Sequence, residues 1–303
     1  MGLVGWICPV TREKVEFGHF NTCGHGIGGR SCVSPALAAF AEAKALEDVR
    51  HAGMGVTATR TMGCPRATAI ECLKTFHGDP RRVMLASRGS AAHEAVAKAL
   101  DSGAWYTEAN DPMRLVVEGV LFKGLDPDWP EGVKVSAMMD GLRRDLTEIV
   151  DWKFPKDWSV KFRRGRGNKG TPEHGVQLNI IRLLLAQQEW AIREGYDPEK
   201  VKMTIWDHGF GMDLEGPEPM VVGAMSEGEI LDVRPWGGQV TVRDRIGMLV
   251  ELQQEMEGPV HDPDALLASA PLVGEKDMNG KRCGACLVEA ICTELVRVHG
   301  RPE

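Results

Sequence analysis

An α/β fold, with strands flanked by helices, is predicted from three features of the sequence. Strand-like runs gather in the middle of the chain, at residues 114–122, 133–139, 146–154 and 201–206. Segments rich in good helix formers lie before and after them. One long helical stretch carries apolar residues around most of its circumference, as a helix buried against a sheet does. The length, 303 residues, suits one large domain or two modest ones.

Taken in order, residues 1–35 are rich in Gly, Cys and His and show little helical periodicity. Residues 36–52 (ALAAFAEAKALEDVRHA) read as a helix because Ala and similar residues dominate. A second helix is expected from near Cys64 to about Thr75, and a third from Ser90, acting as N-cap, to about Leu100. Within strand 146–154, Val150, Trp152 and Phe154 share one face and Ile149, Asp151 and Lys153 the other. The long helix is predicted over 173–194, closed by Gly195. Residues 219–234 suggest a hairpin and 241–257 a final helix.

Composition is ordinary for a globular protein, with 43% hydrophobic and 26% charged residues. There is no apolar run long enough to span a membrane, and Met1–Arg12 lacks signal-peptide character, so a cytoplasmic location is expected. A net charge of −7 argues against a nucleic-acid coat protein, though not against an enzyme with a local basic patch. Eight cysteines in such a chain read as metal ligands before disulfides. All of them lie toward the two ends.

The chemistry centres on Asp140 and on Asp151-Trp152-Lys153. On a strand, Asp151 and Lys153 project to the same side, about 6–7 Å apart. Two carboxylates suit Mg²⁺ or Mn²⁺, which activates water and polarises a phosphate, while a lysine offsets developing charge. A D-x-K tripeptide on a solvated strand edge would look the same, so its flanks matter. Upstream is Arg88-Gly89-Ser90-Ala91-Ala92-His93, and downstream His174-Gly175-Val176-Gln177-Leu178.

In this order, the motifs resemble the RecB-like nucleases of the PD-(D/E)xK superfamily. The resemblance implies a restriction-endonuclease-like core, a central mixed sheet flanked by helices, over 53–303, after an N-terminal extension and helix at 1–52. It implies that His93, Asp140, Asp151 and the Trp152 carbonyl bind the metal. Lys153 would be the catalytic lysine, and Gln177 would position lysine or substrate. Two positions depart from the family pattern: Ala137 stands for a glycine and Ile181 for a tyrosine.

Cys283, Cys286 and Cys292 form C-x2-C-x5-C, a spacing open to a four-cysteine zinc site or an iron–sulfur cluster. With the distant Cys64-Pro65-Arg66, the pattern resembles the iron–sulfur subgroup of the same nucleases, which includes AddB-type exonucleases and CRISPR-associated adaptation nucleases. That resemblance implies a [4Fe–4S] cluster on Cys64, Cys283, Cys286 and Cys292, joining the N- and C-terminal segments. Cys72, between Ile70 and Leu73, reads as a core residue. Near the N-terminus lie Cys8, His19, Cys23, His25 and Cys32. Four of them could hold Zn²⁺, with Cys8, His19, Cys23 and Cys32 as one choice. The alternative is a glycine-rich extension with incidental thiols.

Between the catalytic strand and the Gln177 helix runs a loop carrying Lys161, Arg163, Arg164, Arg166 and Lys169 without an acidic residue. It is either a solvated loop or a phosphate-contacting one, with Trp158 and Phe162 as candidates for stacking on bases. The function expected is a Mg²⁺- or Mn²⁺-dependent DNA exonuclease favouring single-stranded ends, in recombination, repair or phage replication. Its partners would be single-stranded DNA or duplex ends, with a helicase, recombination or CRISPR proteins. The alternatives are a CRISPR adaptation nuclease and a catalytically idle, cluster-bearing DNA-binding module.

Overall fold

The computed structural model describes residues 3–49, 55–100, 103–107, 114–118, 134–154, 172–207, 219–235, 240–257, 264, 267 and 288–299. Along the chain these form β1 Leu3–Ile7, β2 Lys14–Glu16, α1 Pro35–Val49, β3 Val56–Thr57, α2 Ala58–Thr61, α3 Pro65–Leu73, β4 Phe76–Gly78 and α4 Pro80–Leu100. There follow β5 Trp105–Thr107, β6 Arg114–Glu118, β7 Lys134–Met138, β8 Gly141–Arg143, β9 Glu148–Lys153, α5 Pro172–Leu185 and α6 Glu189–Arg193. The last are β10 Lys202–Asp207, β11 Met220–Val222, α7 Glu227–Asp232, α8 Val242–Glu257 and α9 Glu289–His299. The α/β class is as expected. No described helix is long and apolar enough to cross a membrane.

The chain divides into two compact units. One comprises residues 1–54, 63–88 and 251–303. Its sheet has the order β2-β1-β4, with β1 antiparallel to β2 and parallel to β4. Trp6, Phe20, Ala41, Ile70 and Leu295 belong to its core, and α3 packs against α9.

The other unit comprises residues 55–62 and 89–250. Its five-stranded sheet has the order β11-β10-β9-β8-β5, with β9 parallel to β10 and the remaining pairs antiparallel. A three-stranded sheet, β3-β7-β6, accompanies it. Both faces of β9 are covered: Ile149, Val150, Asp151 and Trp152 are all buried. This is what a central strand with a parallel neighbour requires. Helix α5 packs on β6, β7 and β9, as its all-round apolar surface predicts.

Four expectations are corrected. The helix carrying His93 begins at Pro80, ten residues before Ser90. Proline suits a first helical turn, and the good helix formers that follow carry the helix through Gly89 and Ser90. The predicted helix 173–194 is two helices, α5 and α6. The Gln188 side chain donates to the Leu184 carbonyl and the Tyr196 hydroxyl to that of Arg182, so the last carbonyls of α5 are satisfied without continuing the helix. Gly195, at φ 85°, follows α6 in the left-handed conformation expected of a helix stop. In 219–234 only β11 is a strand. Ser226 and Glu229 form a reciprocal capping box that starts α7 instead. Finally, β1, β2, β4, β5 and β8, each of three to five residues, were not foreseen as strands.

Candidate active site

β7 and β8 are nearly one strand, interrupted at Met139 and Asp140. β7 hydrogen-bonds into the three-stranded sheet and β8 into the five-stranded one, so Asp140 sits where the chain changes sheets. The β8–β9 register ends at Gly141 opposite Val150. Beyond it, the Trp152 amide donates to the Asp140 carboxylate, Oδ2, at 2.9 Å. A carboxylate thus takes the place of the next ladder carbonyl and is fixed against β9.

Gly141 is needed here for space. A Cβ at this position would lie 2.8 Å from Cη2 and 3.1 Å from Cζ2 of Trp152. Gly141→Ala should therefore push the indole aside and disturb the Trp152–Asp140 hydrogen bond. Misplacing catalytic groups by about an ångström costs on the order of 10²-fold in rate. In a catalytic site, the rate of this variant should fall by roughly that factor. A wild-type rate from a variant with an undisturbed circular dichroism spectrum would show that the close contact has no bearing on the site.

His93, on α4, places Nδ1 3.4 Å from Asp140 Oδ2. Its ring meets Phe154 edge-on at 5.0 Å between centroids. Lys153 donates through Nζ to Asp151 Oδ1 at 2.7 Å. The Asp151 side chain is 3% exposed, and its Oδ2 is buried without a hydrogen bond. Burial is the main influence on Asp151. Lys153 opposes it, the nearby Asp140 reinforces it, and the carboxyl is pushed up to about 7. A buried carboxylate oxygen lacking a donor beside a second carboxylate is an arrangement that a divalent cation satisfies. His93, Asp140, Asp151 and the backbone at Trp152 supply oxygen and imidazole donors suited to Mg²⁺ or Mn²⁺.

The expected quartet of His93, Asp140, Asp151 and Lys153 is therefore brought together. Gln177 lies half-buried on α5, a helix that packs against β9. One acidic residue escaped the sequence reading. Asp207 is the register partner of Lys153 in the parallel β9–β10 pair, so both project to one face, and Asp207 is buried. The signal was its place at the end of the predicted strand 201–206, one residue beyond the predicted limit. The basic loop with Lys161, Arg163, Arg164, Arg166 and Lys169 lies outside the described residues, as do Cys283 and Cys286.

Cys64 occupies the N-cap position of α3 without a side-chain capping bond, and Cys292 lies on α9, which packs against α3. Cys72 is buried, as a core residue should be. Cys8, His19, Cys23 and His25 converge, with donor atoms all within 4.8 Å of one another, and Cys32 lies beside the two sulfurs. Burial disfavours the Cys8 thiolate, but hydrogen bonds from Thr11 and His25 prevail and draw the thiol down to about 6. Burial and the adjoining Cys23 and Cys8 push Cys32 up to about 12.

No family model and no curated protein matches the chain. Among solved structures it is similar to the protein SSO0001 at 16% identity and TM-score 0.46, covering 84% of this chain and 96% of that one. It is also similar to an alkaline exonuclease, LHK-Exo, from Laribacter hongkongensis, at 16% identity and TM-score 0.35, covering 67% of this chain and 90% of that one. The same exonuclease in complex with dAMP gives 15% identity and TM-score 0.34, over 68% and 92% of the two chains.

Proposed function

We propose that the chain is a Mg²⁺- or Mn²⁺-dependent DNA nuclease, acting as an exonuclease on single-stranded ends. The observation that carries this reading is the buried, donor-less oxygen of Asp151 beside Asp140, His93 and the ion-paired Lys153. His93, Asp140, Asp151 and the Trp152 carbonyl would hold the cation. When bound, it supplies Lewis-acid polarisation of the scissile phosphate and a nucleophile at neutral pH. The residues of the chain provide the setting. The Trp152 amide orients Asp140, the Phe154 ring fixes the face of His93, and Asp151 holds the Lys153 ammonium beside the reacting phosphate. There its charge offsets the negative charge that develops during displacement. Lys161, Arg163, Arg164, Arg166 and Lys169 would contact the DNA backbone, and Gln177 would help position the substrate.

The test is digestion of end-labelled single- and double-stranded DNA by anaerobically purified protein, with Mg²⁺, with Mn²⁺ and with chelator. Stepwise shortening of single strands, abolished by chelator, is the expected result. DNA binding without cleavage under all three conditions would favour an idle binding module instead.

We further propose a [4Fe–4S] cluster on Cys64, Cys283, Cys286 and Cys292. The C-x2-C-x5-C spacing and the packing of the helices bearing Cys64 and Cys292 support it. Such a cluster would close a loop spanning most of the chain and so couple metal binding to folding. The anaerobic protein should be brown, with about four irons per chain. Cys286→Ser should lose the colour and lower the melting temperature. Zinc in place of iron in protein never exposed to air would overturn the cluster.

A further inference from the structure

The N-terminal Cys/His cluster takes no part in the nuclease reading, and its geometry has its own chemistry. Strand β1 ends at Ile7, so Cys8 opens the turn to β2. That turn is closed by the Cys8 amide donating to the Glu13 carbonyl and the Arg12 amide to that of Cys8, both at 2.9 Å. Gly18, at φ 81°, starts the short 3-10 turn that presents His19. Cys23 and His25 follow on a glycine-rich bend. Within it, the Gly26 amide donates to the Arg30 carbonyl at 2.8 Å, and a Cβ on Gly26 would lie 2.7 Å from that oxygen. The same bend returns the chain to Cys32. The glycines of this segment, for which the sequence left open a zinc site or a bare extension, help to fold its donors onto one point.

We infer that Cys8, His19, Cys23 and His25 form a tetrahedral structural Zn²⁺ site, with the Cys32 thiol hydrogen-bonded to its sulfurs. Four donors mutually within 4.8 Å are two sulfurs and two imidazole nitrogens, a common structural zinc set. Bond lengths of about 2.3 Å to sulfur and 2.0–2.1 Å to nitrogen place tetrahedral ligand atoms about 3.3–3.8 Å apart, a sulfur and a nitrogen at about 3.6 Å. The Cys8 Sγ to His25 Nδ1 separation is 3.8 Å. Nε2 of His19 is buried and makes no hydrogen bond, as a nitrogen aimed at an ion would. Cys32 Sγ lies 3.6 Å from Cys8 Sγ and 3.4 Å from Cys23 Sγ, too far for a disulfide of about 2.05 Å and within reach of S–H···S bonding, and it stands outside the four donors that all lie within 4.8 Å of one another. With all four positions filled by protein, the ion has no open site for substrate, so its role is structural. It would tie the β1–β2 turn to the segment entering α1, whose Glu42 already accepts from the Trp6 indole at 2.9 Å and the Gly18 amide at 2.8 Å.

The test uses full-length protein purified without chelator, analysed for zinc and iron together. About one zinc per chain is expected. Replacement of that zinc by Co²⁺ should give the intense visible absorption of tetrahedral cobalt with thiolate ligands. Cys23→Ser and His25→Ala should each lose the zinc, expose residues 1–35 to limited proteolysis and leave the iron content unchanged. Cys32→Ser, whose hydroxyl still donates, and Cys72→Ala should keep it. If the ligand variants fold too poorly to purify, chelation of the wild-type protein, followed by readdition of Zn²⁺ alone, should open and then restore protease protection of the same segment. Protein without zinc above background would overturn the site. Zinc retained in His25→Ala but lost in Cys32→Ser would overturn this ligand set.

Discussion

Asp151→Asn and Lys153→Ala should each abolish DNA cleavage, with losses on the order of 10³-fold or more, while the protein remains folded. The two side chains form one device. Asp151 is nearly inaccessible, one of its oxygens is held by Lys153 at 2.7 Å, and the other has no donor. Neutralising Asp151 removes half of the carboxylate charge available to a cation and frees the lysine at the same time. Removing Lys153 leaves a buried carboxylate without its counter-charge, so its affinity for protons should rise and metal binding should weaken as well. Rates measured across Mg²⁺ concentrations separate the two effects. Asp151→Asn should not be rescued by excess metal. Lys153→Ala should bind metal at higher concentration yet stay slow, because the charge beside the phosphate is gone. Near-normal turnover by a folded Lys153→Ala protein would remove the lysine from the chemistry and with it this assignment of the site.

The arrangement of the candidate residues was more legible than the architecture around them. D-x-K on a strand fixes the relative placement of Asp151 and Lys153 through period-two geometry alone, so the sequence was enough for that pair. Asp140 was legible as a candidate, but the reason for its position was not. It depends on a strand changing sheets at Met139–Asp140, and on Trp152 packing where only Gly141 leaves room. Neither leaves a local trace. The short strands β1, β4, β5 and β8 carry too few residues for alternation to register, and they exist through pairing with distant segments, such as Leu3 with Phe76. Conversely, the error over 219–234 was avoidable. Ser226-Glu227-Gly228-Glu229 is a local helix-start signal that a hairpin over these residues passes over. The N-terminal donors were legible as a set, since Cys and His in turn-prone contexts are one pattern of zinc ligands, beside the alternative of incidental thiols. Which of them converge depended on glycine conformations that spacing does not specify.

The Asp151 carboxyl should cost the metal-free protein stability as pH rises from about 4 to about 7, and Asp151→Asn should be the more stable protein above that range. The sign follows from the shift at Asp151, whose carboxyl is raised from an ordinary value of 3.8 to about 7 by burial and by Asp140. With the folded-state pKa above the unfolded one, the folded chain holds the proton more tightly. Below pH 3.8 both states are protonated and the group costs nothing. Between 3.8 and about 7 the unfolded chain ionises first, so stability falls with pH, and above about 7 the penalty is constant. At 1.36 kcal/mol per unit, the full penalty is on the order of 4 kcal/mol. For a domain of this size that corresponds to roughly 10 °C in melting temperature. Asparagine carries no charge to bury, so chelated Asp151→Asn should melt several degrees above chelated wild type at pH 8, and the two should converge near pH 4. Mg²⁺ or Mn²⁺ should then raise the wild-type melting temperature at pH 8 and leave the variant unchanged, because the cation supplies the counter-charge that the buried carboxylate lacks. A variant less stable than wild type in chelator at pH 8 would mean that the folded protein already compensates the Asp151 charge. The buried oxygen would then no longer argue for a cation beside it.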